Sequence, residues 1–261
     1  ARPALEVRGA MNLRVLGCHG GELPGCRSTC FLVDGALALD AGALTASLEL
    51  PALAGVDHIV LTHSHFDHVK DLPLLSDLVV GWRKTPITIW ASHACIQTLR
   101  DNMFNGALWP DFTRIPSVEE PVFQLRSFSP GDTFQAGPYT VRSVLVSHPV
   151  ESCGFVVERG GTALAISGDT GPTHQLWDLL NKTPNLKALL LETSFPDELQ
   201  DLADISGHLT PRTLRGELRK FERNGADVLL YHLKPAFVAQ LKRQVAGLPV
   251  KVLELGQTFE L

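Results

Sequence analysis

The stretch that decides the fold is residues 62–68, Thr-His-Ser-His-Phe-Asp-His, which directly follows an apolar run. His63 and His65 are two positions apart, so on extended backbone their side chains project to the same side. Asp67 and His68 follow where the chain turns toward a helix, and such a turn directs four side chains toward two nearby points. Imidazole and carboxylate together suit zinc, manganese or iron better than magnesium or calcium. The apolar sequence on both sides disfavours a His-rich surface loop.

Three further side chains stand where predicted strands end. His148 follows the strand at 144–147, Asp169 follows 165–168, and His232 follows 228–231. Taken singly, each fits an ordinary hydrogen-bonded turn residue. Together with the 63–68 segment they supply seven candidate ligands at four strand ends, so the sequence predicts about two transition-metal ions per chain.

The HxHxDH pattern of residues 63–68, followed by those three side chains, resembles the metallo-β-lactamase superfamily over almost the full chain. The resemblance implies an α/β (α+β) four-layer αβ/βα sandwich, with two divalent metal ions at the lip between two sheets. Zinc is the first expectation, with manganese or iron as alternatives, and aspartate rather than cysteine at position 169 favours a dinuclear site. The resemblance implies that one ion is bound by His63, His65 and His148. It implies that the other ion is bound by Asp67, His68 and His232, and that Asp169 bridges the two ions.

Finer features are similar to bacterial class II 3',5'-cyclic-nucleotide phosphodiesterases. This resemblance implies hydrolysis of cAMP or cGMP to the 5'-monophosphate by a hydroxide that bridges the metals. The matching stretches are 63–76 (HSHFDHVKDLPLLS), 167–172 (SGDTGP), 192–195 (ETSF), 206–211 (SGHLTP), 232–235 (HLKP) and the aromatic loop 105–112.

The same resemblance assigns roles beyond metal binding. His208 is expected to donate a proton to the leaving oxygen, with an exposed loop histidine as the alternative. Asp67 is expected to act in catalysis as well as in metal binding. Lys234 follows a ligand by two residues and is a candidate phosphate contact, although a solvated lysine fits equally well. Three aromatic residues fit either nucleobase stacking or core packing: Phe104, Trp109 and Phe112.

Charge and hydropathy narrow the partners. The 261 residues carry a formal net charge of −5, so no overall basic field predicts a long nucleic-acid partner, and a small phosphodiester is expected instead. No apolar run approaches the roughly 20 residues of a membrane span, so no membrane association is expected. Residues 1–10 lack the apolar core of a signal peptide, and a preceding leader stays open. The oligomeric state also stays open, a homodimer included.

The five cysteines argue against a disulfide framework, because their number is odd and the chain is not small. Buried free thiols and a reducing, cytoplasmic location are expected. Cys18, Cys26 and Cys30 cluster in sequence beside His19, but the CxxC spacing of a structural zinc site is absent.

The order of predicted elements indicates one α/β domain over residues 1–261, since no linker or low-complexity tract divides the chain. Helices are expected at 69–80, at 172–180 with a proline in the first turn, and at 211–224. Residues 105–120 and 193–210 are expected to be loops.

Three alternative functions remain. A tRNA 3'-processing endonuclease of the same superfamily shares several of these motifs, but the acidic charge and the lack of a basic arm disfavour it. A thioester or lactam hydrolase is disfavoured by His208 and the 206–211 loop. A non-catalytic metal-binding sensor is disfavoured because all seven ligand positions are filled.

Overall fold

The computed structural model describes residues 10–222 and 225–261, and its strands and helices are numbered in chain order. The strands are β1 (Asn12–Gly17), β2 (Cys30–Val33), β3 (Leu37–Leu39), β4 (His58–Val60), β5 (Ile87–Ser92), β6 (Phe123–Phe128), β7 (Thr133–Ala136), β8 (Tyr139–Leu145), β9 (Cys153–Arg159), β10 (Thr162–Ile166), β11 (Leu186–Glu192), β12 (Asp227–Tyr231), β13 (Lys251–Val252) and β14 (Thr258–Glu260). The α-helices are α1 (Leu50–Leu53), α2 (Phe66–Val69), α3 (Leu72–Val79), α4 (His93–Asn102), α5 (Gln175–Asn181), α6 (Gln200–Ser206), α7 (Pro211–Leu218) and α8 (Val238–Gln244).

The strands form two seven-stranded mixed sheets. The first has the order β14-β1-β2-β3-β4-β5-β6, and the second has the order β13-β12-β11-β10-β9-β8-β7. Strands β3 to β6 run parallel, as do β10 to β13, so each sheet has an edge where several strands end together. Side chains that follow these strands are therefore brought to one place.

Three apolar layers hold the sandwich together. Phe31, Phe155 and Tyr231 belong to the core between the sheets. Helices α1, α3 and α4 pack on the outer face of the first sheet, and α5, α7 and α8 pack on the outer face of the second. This arrangement of helix, sheet, sheet and helix confirms the four-layer αβ/βα fold.

Two local features have clear physical causes. Asp34 and Gly35 both adopt positive φ, 50° and 73°, which is the backbone of a tight hairpin turn between β2 and β3. Ser92 caps α4, because its side-chain oxygen accepts a hydrogen bond from the backbone N–H of Cys95.

The helix expected at 69–80 is confirmed only as α3, from Leu72 to Val79, because the chain breaks at Asp71 between α2 and α3. The backbone N–H of Asp71 donates to Ala41 O, and its side chain accepts from the N–H and hydroxyl of Thr45. Pro73 lacks the N–H that a continuous helix would need there. Tertiary hydrogen bonds therefore outweigh the helical apolar spacing.

Two other helix predictions needed correction. The helix expected at 172–180 begins only at Gln175, because Gly171 N–H and Thr173 N–H donate to Ser147 O and the Glu217 side chain. The helix expected at 211–224 ends at Leu218, and its last two predicted residues, 223 and 224, lie outside the described residues.

The predicted loop 193–210 contains α6, which the sequence did not reveal because only Ala203 of this helix is buried. Residues 105–120, all of them described, contain no helix and no strand, as the loop prediction requires. All five cysteines are free, and among them only Cys26 is not buried. Within the described part of the chain, no helix has the length and apolar character needed to cross a membrane. The single domain over residues 1–261 stays a prediction.

Candidate metal centre

The predicted ligands meet at the lip between the two sheets. Residues 63–68 follow β4 of the first sheet, whereas His148, Asp169 and His232 follow β8, β10 and β12 of the second. Their ligand atoms form overlapping groups in which every atom lies within 4.8 Å of the others: His63, His65 and His148; His63, His68 and Asp169; and Asp67, His68 and His232. The fold thus brings all seven side chains together, and their role as ligands stays a prediction.

The bridging position predicted for Asp169 agrees with its distances. Its Oδ2 lies 3.3 Å from His68 Nε2, 3.2 Å from His232 Nε2 and 3.8 Å from His63 Nε2. On the first side, His65 Nδ1 lies 3.1 Å from His148 Nε2. The carboxylate therefore stands between the two sets of histidines.

The residues fit two divalent ions on independent grounds. His63 Nε2 and Asp169 Oδ1 are buried and have no hydrogen-bond partner among the described residues, which is costly unless something else binds them. Burial, with His68 nearby, holds the pKa of His63 well below its ordinary value, so this imidazole is neutral. Burial alone raises the pKa of Asp169, but His232 and His68 overcome it and hold that pKa well below the ordinary value. Neutral imidazole and ionised carboxylate are the forms that bind metals.

A buried carboxylate orients His68. Asp40 Oδ2 lies 2.7 Å from His68 Nδ1, which leaves Nε2 facing the centre. Thr62 donates to Asp40 through its backbone N–H, at 2.8 Å, and through its hydroxyl. Asp40 adopts a left-handed backbone, with φ of 58°, at the end of β3. A carboxylate in this position orients a ligand histidine and raises its basicity.

His232 is held by side chain and backbone together. Its Nδ1 lies 2.9 Å from Ser194 Oγ, which donates to Glu192 Oε2 at 2.9 Å. Its N–H donates to Cys18 O at 2.7 Å, and its φ is 67°. A Cβ at Gly20 would lie 2.7 Å from the His232 carbonyl oxygen, so only glycine fits there. The Gly-rich segment after β1 therefore supports a predicted ligand.

His208 lies beside the ligands and is paired with Glu192. Its Nδ1 is 2.8 Å from Glu192 Oε1, and its ring stacks on that of His232 at 5.3 Å between centroids. Burial lowers the pKa of His208, but the Glu192 carboxylate outweighs burial and raises it above the ordinary value. His208 is 5% exposed, so the exposed-loop alternative is wrong.

Of the other predicted substrate contacts, Lys234 lies near the site, whereas the three aromatic residues pack on the first sheet. Lys234 is half-buried near the site, with its Nζ 5.8 Å from the centroid of the Phe195 ring. Phe104 and Phe112 are buried in the core of the first sheet and Trp109 packs against it, which favours core packing over base stacking.

Sequence reasoning missed the residues behind the ligands. Glu192 and Ser194 lie in one of the matching motifs, 192–195, but no role was predicted for them. Thr62 entered the sequence analysis only as the first residue of the ligand segment, and no role was predicted for Asp40. One signal was available for Asp40, since it is an acidic residue at a strand end, like Asp169.

The fold and the site define a hydrolase of the metallo-β-lactamase superfamily. Residues 30–233 match the family model described as beta-lactamase superfamily domain, and the chain belongs to this family. The chain is 27% identical over 225 residues to a protein of Yersinia pestis named probable 3',5'-cyclic-nucleotide phosphodiesterase. That alignment covers 77% of this chain and only 63% of the Yersinia protein. An uncharacterized protein of Mycobacterium leprae is 26% identical over 96% of this chain and 89% of its own length.

Solved structures share the fold over nearly the whole chain. Unliganded yeast PDE1 superposes with a TM-score of 0.79 and 19% identity, covering 97% of this chain and 100% of the yeast chain. The short form of human tRNase Z has a TM-score of 0.70 and 18% identity, covering 95% and 98%. At such identities the likeness shows the fold alone.

Proposed function

We propose that this chain is a metal-dependent phosphodiesterase that hydrolyses a 3',5'-cyclic nucleotide, cAMP or cGMP, to the nucleoside 5'-monophosphate. The observation that carries the proposal is the buried His208–Glu192 pair beside the ligand cluster, with 2.8 Å between His208 Nδ1 and Glu192 Oε1. A thioester hydrolase has less need of such a proton donor, because a thiolate leaves without being protonated. The names of the Yersinia and yeast relatives support the same substrate class.

The seven ligands would hold two divalent transition-metal ions in the sets given above, with Asp169 between them. When bound, such ions lower the pKa of a water molecule and neutralise charge on the phosphoryl oxygens. The chain's task is to fix these groups before the reaction, and the pairs Asp40–His68 and Ser194–His232 do so.

Proton transfer falls to two side chains. The phosphorus–O3' bond breaks as water attacks, and protonated His208 supplies the proton that O3' requires. Glu192 stabilises this protonated imidazole. Asp67 would accept the proton of the attacking water. Its side chain is 27% exposed, and its Oδ2 lies 3.3 Å from His232 Nε2. Lys234 adds positive charge for the phosphate.

The net charge of −5 supports a small phosphodiester over a long nucleic acid. The tRNA 3'-processing endonuclease remains the second candidate, because the fold matches human tRNase Z and the same proton donor would serve an RNA diester.

A product assay separates these functions. Protein reconstituted with zinc or manganese is incubated with cAMP, cGMP, a pre-tRNA and an acyl thioester, and the products are identified by chromatography. We expect the nucleoside 5'-monophosphate, and no product from the chelator-treated control. Cleavage of pre-tRNA with cyclic nucleotides intact would establish the endonuclease instead, and turnover of the thioester alone would contradict both.

A further inference from the structure

Two apolar side chains close in sequence to the candidate site residues are unusually exposed. Ile205 is 79% exposed and Phe66 is 67% exposed, more than any other large hydrophobic side chain in the described ranges. An isolated exposed apolar residue is ordinary in a soluble protein. Here the two highest values both fall within three residues of His65, Asp67 or His208, and this coincidence calls for a function.

The two residues belong to segments that approach each other at His148. Phe66 is the first residue of α2, between His65 and Asp67 in sequence, and Ile205 is in α6, two residues before Gly207. His148 separates these segments, because its Nε2 lies 3.1 Å from His65 Nδ1 and its Nδ1 lies 2.9 Å from Gly207 O. The rings of His148 and His65 therefore link the Gly207 backbone to the segment that carries Phe66.

Neither side chain has a structural task that explains it. Phe66 belongs to none of the three cores, and α6 buries Ala203 instead of Ile205. The aromatic residues of the 105–112 loop, by contrast, pack against the first sheet. Phe66 and Ile205 therefore present apolar surface that the described core does not use.

We infer that Phe66 and Ile205 form a binding site for the nucleobase of the substrate, here called the Phe66–Ile205 rim; this rests on the proposed function. In a cyclic nucleotide, the phosphate and the base project from opposite ends of one rigid sugar. A phosphate at the metals thus directs the base outward, toward the rim. Phe66 stacks on the face of the base and Ile205 covers it from the other side, which tolerates any base because every base has an apolar face.

The test compares a ligand that has a base with one that lacks it. Calorimetry measures the dissociation constants of adenosine 5'-monophosphate and ribose 5-phosphate with metal-loaded protein. We expect tighter binding of the nucleotide, and a loss of about tenfold in that preference in Phe66→Ala, within the range for removal of a stacked aromatic ring. Phe66→Tyr keeps the ring and should keep the preference, and Ile205→Ala should reduce it less than Phe66→Ala. In turnover of cAMP, Phe66→Ala should raise KM more than it lowers kcat.

Matched controls lie at the other end of the sheets. Trp82 is 61% exposed beside Arg83, whose side chain pairs with Asp57 just before β4 begins, and Val118 is 62% exposed in the loop before β6. Trp82→Ala and Val118→Ala should leave both dissociation constants unchanged.

Equal affinity of the wild-type protein for the two ligands would overturn the rim, as would an equal loss for both ligands in Phe66→Ala. A preference that depends on Phe66, in a protein that leaves cyclic nucleotides intact, would support the rim and overturn the proposed function. If Phe66→Ala then raises KM for pre-tRNA, the rim binds a base of an RNA substrate instead of a cyclic nucleotide.

Discussion

The two ligand sets of the centre differ in how the protein supports them. The first, here called the buried set, contains Asp67, His68 and His232. The second, here called the open set, contains His63, His65 and His148. Both histidines of the buried set are fully buried, whereas two of the three in the open set are partly exposed. The two halves of one centre therefore sit in different surroundings.

The supporting partners differ in charge as well. His68 is backed by the Asp40 carboxylate, and His232 is backed by Ser194 and, through it, by the Glu192 carboxylate. In the open set, no carboxylate is a direct partner in these bonds: His63 Nδ1 meets the Thr62 hydroxyl, which itself donates to Asp40, and His148 Nδ1 meets a backbone carbonyl. Carboxylate partners raise the basicity of a ligand imidazole. We therefore expect the buried set to bind its ion more tightly than the open set.

Asp169→Ala removes what the two sets share and should have the largest effect. We expect loss of at least one ion by elemental analysis, and activity reduced to background, because this carboxylate faces both sets. The ion that remains should be in the buried set. Two ions and full activity in the variant would show that the ligand map is wrong.

His208→Ala leaves both ligand sets intact and should act on kcat alone. The expected loss is about 10²–10⁴-fold, the usual range for a general acid. Metal content should barely change, and the defect should shrink on bis(p-nitrophenyl) phosphate, whose leaving group needs little protonation. Equal losses on both substrates would assign His208 to phosphate binding instead.

Asp40→Asn tests the buried set directly. Loss of the charge behind His68 should weaken the binding of one of the two ions by about 10- to 100-fold, the range for partners of metal ligands. Competition with a chelator measures this affinity. Asp71→Asn is the matched control, since Asp71 is a buried carboxylate that contacts Thr45 and Lys70 and no ligand. Equal weakening of both ions in Asp40→Asn would contradict the proposed asymmetry.

Ser194→Ala should give the smallest effect, about tenfold or less in the affinity of the same ion, because it removes a neutral link and leaves Glu192 in place. Ser143→Ala is the control, since the Ser143 hydroxyl bonds backbone carbonyls at Ser129 and Asp132, away from the ligands. A loss of metal affinity larger than that of Asp40→Asn would show that Ser194 supports the ion more strongly than Asp40 does.

The ligand positions were predictable because each one follows an apolar strand, and strand ends meet at an edge of a sheet. The residues that support the ligands from behind were not predictable, because their contacts with the ligands join distant parts of the sequence. Asp40 and His68 are 28 positions apart, and Ser194 and His232 are 38 apart. For the same reason the break at Asp71 was missed, since its bonds reach Ala41 and Thr45. Helix α6 was not predicted for another reason. Only one of its residues is buried, so its sequence lacks the helical spacing of apolar residues.

The seven ligands come from both sheets, four from the first and three from the second. Each ligand set contains side chains from both sheets, so an ion bound to either set joins the two halves of the sandwich. The unfolded chain has no such arrangement to offer it. By mass action, a ligand at 100 times its dissociation constant stabilises the native state by about 2.7 kcal/mol. The free concentration of metal around the protein is thus a variable of its folding equilibrium, and a cell short of that metal would hold a less stable chain as well as an inactive one.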